Sequence, residues 1–113
     1  MSRQALKGNL DLLVLAVISD GPKHGYAVIE ALRSRSNDVF DLPEGTVYPA
    51  LHRLEESGLL YSEWSAINGR RRRTYQLTDD GYRALGDELR AWDEFTDAVA
   101  NVVSRRVGWA ATS

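Results

Sequence analysis

Residues 42–58 read LPEGTVYPALHRLEESG, and the rest of the chain is organised around them. Val47, Leu51 and Leu54 follow the spacing i, i+4, i+7, so they form one narrow apolar stripe on a helix. The outward side differs from an ordinary solvated helix, because it carries small, aromatic, hydrogen-bonding and cationic groups: Thr46, Pro49, His52 and Arg53, with Tyr48 on the flank. Gly58 ends the helix because glycine tolerates positive φ. The pattern is typical of a DNA recognition helix.

The start of this helix is open between two positions. If Thr46 is the N-cap, Pro49 falls in the first turn, where its missing N–H costs nothing. If the helix begins at Pro43 or Glu44, Pro49 lies beyond the first turn and should kink the helix. Glu44 favours the earlier start, since an acidic side chain stabilises a helix N-terminus.

The composition indicates one globular domain with an appended helix. The 113 residues are 43% hydrophobic and include no cysteine, so a core without disulfides is expected. The apolar run at residues 12–18 is far shorter than the ~20 residues of a membrane-spanning helix. No cleavage site of a signal peptide follows it. We therefore expect an unprocessed, soluble cytoplasmic protein.

The charges are unevenly distributed. A net charge of −2 is unlike that of a strongly basic nucleic-acid binder. However, the chain carries four consecutive arginines, Arg70 to Arg73, whereas residues 79–106 have a negative surplus. Four adjacent like charges repel one another, so their presence favours a nucleic-acid partner over a solvated loop.

Two helices, and no strand, are predicted before the recognition helix. Residues 9–19 are apolar almost all round, which requires cover on several sides and suggests a second chain. Residues 24–35 form the second helix, and its expected inner positions are Tyr26, Ile29, Ala31 and Leu32. His24, at its start, is interpreted as a capping or packing residue.

A β-hairpin and one long helix follow. Residues 59–65 alternate with period two, residues 72–77 form the return strand, and Asn68-Gly69 between them is a strong hairpin signal. Thr78 is the expected N-cap of a last helix of about 25 residues with a heptad-like apolar seam. The seam consists of Tyr82, Leu85, Leu89, Trp92, Val99 and Val103. Its burial requires association through this helix and the first. The element order is that of a winged helix-turn-helix, a mainly α fold with a small β-hairpin (α+β).

Several motifs together resemble one family. They are GPKHGY at residues 21–26, GTVYPALHRLE at residues 45–55, and the arginine-rich hairpin running into TYQLTDDG at residues 74–81. In this order, over nearly the whole chain, they resemble the PadR family of bacterial transcriptional regulators, in its short form. The resemblance implies a winged helix-turn-helix DNA-binding domain at residues 1–78, a C-terminal dimerisation helix at residues 79–107 and a frayed tail at residues 108–113.

The resemblance also implies a homodimeric repressor on a pseudo-palindromic double-stranded DNA operator. The third helix would enter the major groove, and the hairpin, or wing, would lie beside the minor groove. The candidate DNA-binding residues are Lys23, Tyr26, Thr46, Tyr48, Pro49, His52, Arg53, Arg70, Arg71, Arg72 and Arg73. The candidate dimerisation residues are Leu10, Val14, Val17, Leu85, Leu89, Trp92, Val99 and Val103.

Some members of that family enclose an aromatic-lined site for flat hydrophobic compounds at the dimer interface. The resemblance therefore implies a small aromatic effector, with the candidate contacts Leu13, Leu89, Trp92, Asp93, Phe95 and Thr96. Asp93 and Asp97 would favour a cationic compound. A tryptophan at heptad spacing is more often a packing residue, so dimer-core packing by Trp92 is the favoured alternative.

No catalytic or metal site is indicated. Two histidines without a supporting cluster make a poor metal site. No nucleophile with a base, paired-carboxylate site or glycine-rich phosphate loop is apparent. We therefore expect neither enzyme activity nor a cofactor. The alternative from another class is a winged-helix protein-interaction module, in which the outer face of the third helix meets a protein.

Overall fold

A computed structural model describes residues 3–107 of the chain, without the side chains of residues 3–5, 7, 67 and 105–107. Within that range the chain forms four helices and three strands, in the order α1 (Arg3–Ile18), β1 (Lys23–His24), α2 (Gly25–Arg35), α3 (Glu44–Glu56), β2 (Leu60–Ile67), β3 (Arg70–Leu77) and α4 (Asp79–Val107). The strands form an antiparallel sheet in the order β1-β3-β2. The predicted α+β fold class is confirmed. The tail expected to be frayed, residues 108–113, lies outside the described residues.

The core lies where the apolar faces of α1, α2 and α3 meet one face of the sheet. The predicted stripe of α3 is confirmed, since Val47, Leu51 and Leu54 are all buried. Each such side chain contributes about 1.5–3 kcal/mol when fully buried. The stripe therefore holds α3 against the body of the domain and leaves its opposite face to solvent.

Helix α1, for which the sequence suggested a second chain as cover, is covered on several sides by its own chain. It packs against α2, α3, β3 and α4 of the same chain, and Val14 and Val17 are 0% and 4% exposed. Leu85 of α4 also lies in this core. These three predicted dimerisation residues are therefore buried within their own chain, and their contact with a partner stays a prediction.

The second helix is preceded by a strand that the sequence did not reveal. The prediction that no strand precedes the hairpin is wrong, because β1 pairs antiparallel with β3. Two residues are too few to produce a periodic signal. Tyr26, predicted to face inward, is 54% exposed, and Val28 occupies the buried position instead. The helix thus presents Tyr26 on the same side of the molecule as the hairpin.

The hairpin turns where predicted. Asn68 and Gly69 have φ angles of 52° and 76°, the pair of positive values that a tight two-residue turn requires. Both strands extend further towards the turn than the alternation indicated, so the ladder runs from the Leu60↔Leu77 pair to residues 67 and 70. Tyr75 and Leu77 are buried on one face, as expected.

Helix α3 begins at Glu44 with Pro43 as its N-cap, which confirms the earlier of the two possible starts. Pro49 therefore lies inside the helix, beyond the first turn. Because proline has no N–H, the carbonyl of Gly45 lacks its usual helical donor at that turn. Gly45 is exposed, so water can satisfy its carbonyl.

Helix α4 is capped as predicted and then leaves the body of the domain. The Thr78 hydroxyl accepts a hydrogen bond from the N–H of Gly81 (3.0 Å) and donates one to the carbonyl of Gly58 (2.6 Å). The helix has 29 residues, which is about 43 Å of length. The described chain is correspondingly elongated, with extents of 60 × 28 × 22 Å.

No helix among the described residues is both long enough and apolar enough to cross a membrane.

Candidate nucleic-acid interface

A cationic cleft, defined here as the groove between the start of α2, the middle of α3 and the hairpin, has a volume of about 510 Å³. Its walls come from residues that are far apart in sequence: His24, Gly25, Tyr26, Tyr48, Arg70, Arg71, Arg72, Arg73 and Tyr75. Four arginines of the hairpin line one wall, and Tyr26 and Tyr48 line the others, so the cleft is suited to an anion carried on a larger polar molecule.

The cleft is built on a close contact between Gly25 and Tyr48. A Cβ atom on Gly25 would lie 2.5, 2.6 and 2.8 Å from Cε1, Cζ and Oη of Tyr48. No residue other than glycine therefore fits at position 25 while the ring keeps its place. The contact joins the HGY and TVYP motifs directly, and Tyr48 lines the cleft.

His24 closes the N-terminus of α2 and lies beside the arginine wall. Its Nδ1 accepts a hydrogen bond from the N–H of Ala27 (3.2 Å), which confirms its capping role. The guanidinium of Arg72 lies 3.3 Å from Nε2. An accepting Nδ1 is unprotonated, so the cap requires the neutral form of the ring. Partial burial and, secondly, the charge of Arg72 lower the pKa of His24.

Arg73, which also lines the cleft, is tied to the recognition helix. Its Nε donates to the hydroxyl of Ser62 (2.7 Å), which in turn donates to Oε2 of Glu55 (2.6 Å). Arg73 itself lies 3.8 Å from the same carboxylate. The chain of contacts fixes the hairpin relative to the C-terminal end of α3. Tyr75 lies beneath it, and its pKa is raised by burial first and by Glu55 second.

Arg71 lies over an aromatic ring that the sequence analysis did not select. Its guanidinium carbon is 4.8 Å from the centroid of the Trp64 ring, and that of Arg73 is 5.5 Å away. Trp64 stands directly opposite Arg73 in the β2–β3 ladder. A two-residue turn at Asn68-Gly69 implies this pairing, so the signal was present in the sequence.

The outer face of α3 adjoins the cleft but does not line it. Pro49, His52 and Arg53 are exposed there, and Thr46 is half-buried. Arg53 is already paired, because its two terminal nitrogens donate to the two carboxylate oxygens of Asp11 at 3.0 and 2.9 Å. This bidentate contact with α1 raises the pKa of Arg53, with the hydrogen bonds as the largest cause.

The structure brings together six of the predicted DNA-binding residues in the cleft, namely Tyr26, Tyr48, Arg70, Arg71, Arg72 and Arg73. Four more lie on the outer face of α3, and Lys23 lies on β1 at the sheet edge. His24, Gly25 and Tyr75 complete the lining of the cleft. None of these three residues was predicted as a binding residue, although His24 and Gly25 stand directly before Tyr26.

A second, apolar pocket lies between α1 and α4 and has a volume of about 170 Å³. Two of the predicted effector contacts, Leu13 and Trp92, line it together with Leu6, Asn9, Leu12 and Phe40. Phe95 lines a neighbouring groove that shares Trp92, and the two ring centroids are 6.1 Å apart. Leu89, Asp93 and Thr96 do not line this pocket. Phe40 was not predicted, because it precedes the recognition helix in a link without periodicity.

An exposed apolar stripe runs along the outer part of α4. Four of the predicted dimerisation residues belong to it: Leu89, Trp92, Val99 and Val103. Phe95 and Val102, which widen the stripe, are exposed as well. Leu10 of α1 is half-buried next to the core. An apolar band of this length is unusual on a surface that meets only water.

The described residues contain no group of three or more histidine, aspartate or glutamate side chains placed to hold a metal ion. The chemistry of the site is thus that of its guanidinium, imidazole and phenol groups.

Comparison with known proteins agrees with this geometry. The model of the transcriptional regulator PadR-like family matches residues 14–87, which span the winged helix and the start of α4. The chain belongs to the PadR-like family. Members of this PadR family are DNA-binding regulators of transcription and are not enzymes. The resemblance inferred from the motifs is confirmed, and so is the expectation that the chain is not an enzyme.

Individual PadR-like relatives match the chain over most of its length. Transcriptional regulator Rv3488 of Mycobacterium tuberculosis is 35% identical over 106 residues, which are 94% of this chain and 96% of that protein. The structure is similar to a transcriptional regulator from Clostridium thermocellum, with a TM-score of 0.80, 27% identity and coverage of 89% and 95% of the two chains. A PadR-like transcriptional regulator from Bacillus cereus gives a TM-score of 0.79, 29% identity and coverage of 88% and 96%.

Proposed function

We propose that this PadR-family chain is a homodimeric repressor that binds a pseudo-palindromic DNA operator and is released by a small aromatic effector. The observation that carries the proposal is the cationic cleft, which adjoins the exposed face of α3. A DNA duplex presents phosphates on both sides of its major groove. A helix with an arginine wall beside it matches that arrangement.

The distribution of charge supports DNA binding despite a net charge of −2. The wing carries four consecutive arginines, while the acidic residues gather along α4. Phosphate contacts depend on local charge, since fields beyond a Debye length of about 10 Å are screened at 0.1 M salt.

Different parts of the interface have different proposed roles. Thr46 and His52 on α3 would reach base edges in the major groove, and Tyr26 and Lys23 would contact the phosphate backbone. Pro49 would pack against the groove wall. Arg70 and Arg71 at the hairpin tip would contact phosphates beside the minor groove. Arg53 would either leave Asp11 to contact the DNA or keep its ion pair with Asp11 and hold α3 against α1.

The exposed stripe of α4 supports assembly into a dimer through this helix. Helices with a seam of this spacing bury it against a partner helix. A two-fold dimer repeats the recognition helix, so two half-sites about one DNA turn apart, ~34 Å, would be contacted together. The winged helix at residues 1–78 would then contact the DNA, and the dimerisation helix at residues 79–107 would set the distance between the two recognition helices.

The apolar pocket beside Trp92 supports the effector proposal. Its volume of about 170 Å³ is below the ~300–1,000 Å³ of complete ligand sites, so a second copy of the chain would have to complete it. A flat compound stacked on the indole would change how α1 and α4 meet. DNA affinity would fall because the two recognition helices would no longer match both half-sites.

The DNA role is tested by binding to the chain's own upstream region at several salt concentrations. The double variant Arg71→Ala with Arg72→Ala should bind at least tenfold more weakly and show a shallower dependence on salt, by about one unit of log–log slope per lost phosphate contact. The charge-matched control is Arg83→Ala with Arg90→Ala on α4, which should bind like the wild type. Equal binding by all three proteins would refute the assignment.

The dimer is tested by sedimentation at fixed protomer concentration. Val99→Arg places a charge in the stripe and should yield a monomer. The control Glu94→Arg lies on the opposite side of α4 and should leave the dimer intact. A wild-type chain that sediments as a monomer at tens of micromolar would refute the proposed assembly.

The effector proposal is tested by titrating planar aromatic compounds against tryptophan fluorescence. Binding at the pocket should quench the tryptophan fluorescence of the wild type. The Trp92→Phe variant, which keeps an aromatic ring at the same position, should not show this quenching. A bound compound should also weaken DNA binding. If no compound in a broad panel changes either signal, Trp92 is a packing residue of the dimer core.

A further inference from the structure

Trp64 is the largest side chain on the hairpin, and it is 58% exposed. It belongs neither to the hydrophobic core nor to the partly buried shell around it. An exposed indole gains little free energy from burial, so the contacts that hold it are those it makes on the wing itself.

The strand register explains which groups meet the ring. Trp64 lies opposite Arg73, and Arg71 is two residues away on the same face of β3. Both guanidinium groups therefore extend over one indole, at 4.8 Å for Arg71 and 5.5 Å for Arg73. Arg70 and Arg72 project from the opposite face of the strand, because side chains alternate.

The guanidinium groups of Arg71 and Arg73 differ in the contacts that they make besides the indole. Arg73 is bonded to Ser62 and faces Glu55. Arg71 has the indole as its contact among the described residues. Like charges on one strand face repel each other, and the negative face of the indole offsets that repulsion. An arginine held in one orientation also loses less side-chain entropy when a phosphate arrives.

We propose that Trp64 is a positioning residue of the DNA-binding wing, which holds the Arg71 guanidinium ready for a phosphate while Arg73 also contacts the ring. The inference rests on the proposed DNA-binding role of the wing. Trp64 acts through Arg71 and makes no necessary contact with DNA itself.

The test is a double-mutant cycle on DNA binding, with fluorescence anisotropy of a labelled 30-base-pair duplex at low salt. Trp64→Ala should weaken binding about two- to fivefold, the fold-change expected from one exposed cation–π contact. In the Arg71→Ala background the same change should have no further effect. The matched control is Arg70→Ala, which removes an equal charge from the other face of the strand. In the Arg70→Ala background, Trp64→Ala should weaken DNA binding as much as it does in the wild type.

Two further variants separate positioning from packing of the hairpin. Trp64→Phe keeps an aromatic face and should retain most of the affinity, whereas Trp64→Leu keeps apolar bulk and should bind like Trp64→Ala. Thermal unfolding midpoints should stay within a few degrees of the wild type. Equal affinity of the phenylalanine and leucine variants would overturn the inference.

Other outcomes distinguish this inference from the proposed function. If Trp64→Ala weakens binding equally with and without Arg71, the indole contacts DNA directly and positioning is refuted. If Arg71→Ala weakens binding but Trp64→Ala does not, only the positioning role fails. If the wild-type chain does not bind the duplex at any salt concentration, both the DNA assignment and this inference fail.

Discussion

Gly81 lies where the first turn of α4 approaches Leu59 and Leu77, and Gly81→Ala should destabilise the protein. A Cβ atom at this position would fall inside the contact distance of the Leu59 carbonyl oxygen and 3.2 Å from Cγ of Leu77. That oxygen already accepts a hydrogen bond from the N–H of Thr78 (3.1 Å). The added methyl group therefore meets backbone, which cannot rotate away as a side-chain tip can.

The expected cost follows from three contributions. Overpacking a close contact costs about 1–3 kcal/mol. Displacing the Leu59 carbonyl weakens a hydrogen bond worth about 1 kcal/mol. Alanine recovers about 0.5–1 kcal/mol relative to glycine in a helix. The free energy of unfolding should fall by about 2 kcal/mol, which lowers the thermal midpoint by about 8 °C for a domain of this size.

Gly86 in the same helix provides the matched control. A Cβ atom there would meet only Nη1 of Arg90 at 3.7 Å, an ordinary contact. Gly86→Ala should therefore raise stability by about 0.5–1 kcal/mol. Both variants are compared by urea and thermal unfolding at one protomer concentration, because assembly would make the midpoint concentration-dependent.

The decisive result is a lower free energy of unfolding for Gly81→Ala together with a higher one for Gly86→Ala. If Gly81→Ala is as stable as the wild type, the α4 junction yields easily at Leu59. A loss of similar size in both variants would instead reflect helix composition alone. Either result would refute the reasoning from the Leu59 contact.

Two further predictions concern groups at the edge of the interface. His24→Asn should retain the α2 cap, since asparagine is a good N-cap, and should reduce the loss of stability of the wild type below pH 6.5, measured by urea unfolding from pH 5 to pH 8. Asp11→Asn should cost less than about 1 kcal/mol of stability, because its ion pair with Arg53 is partly exposed. It should also strengthen low-salt DNA binding severalfold in an anisotropy titration, since the Arg53 charge is no longer neutralised.

The direction of the pH effect follows from the lowered pKa of His24. The folded chain binds fewer protons at this ring than the unfolded chain, so stability is complete above the unfolded pKa of about 6.5 and falls as the pH drops through the folded pKa. The control His52→Asn leaves His24 in place and should keep the wild-type profile. For Asp11, the gain in DNA affinity should disappear when Arg53→Ala is added. A gain that persists would show that Arg53 is not the group released.

Local patterns predicted most of the elements because short-range chemistry decides them. The stripe of α3, the Asn68-Gly69 turn and the Thr78 cap each depend on residues within one or two turns of chain. The two-residue turn even implies the pairing of Trp64 with Arg73. By contrast, β1 was missed because two residues carry no period, and Tyr26 was placed inward because the helical face was assigned without knowing its neighbours.

The candidate site was predicted as a set of residues but not as an arrangement. The sequence identified the arginines of the wing and the polar face of α3. It did not separate Arg73, which braces the hairpin on Glu55, from Arg71, which lies over Trp64. Nor did it indicate that Asp11, 42 positions earlier, already pairs with Arg53. Contacts between distant segments leave no periodic trace in the chain.

The sequence by itself determined the family, the winged-helix order of elements and the position of the recognition helix, because motifs, caps and periodicity are local properties. Tertiary structure alone decided which apolar residues are available for assembly. Val14 and Leu85 were predicted as dimerisation residues, yet this chain buries them, whereas Trp92 and Val99 remain exposed. The physical reason is that burial depends on what a side chain packs against, and that is fixed only when distant helices meet.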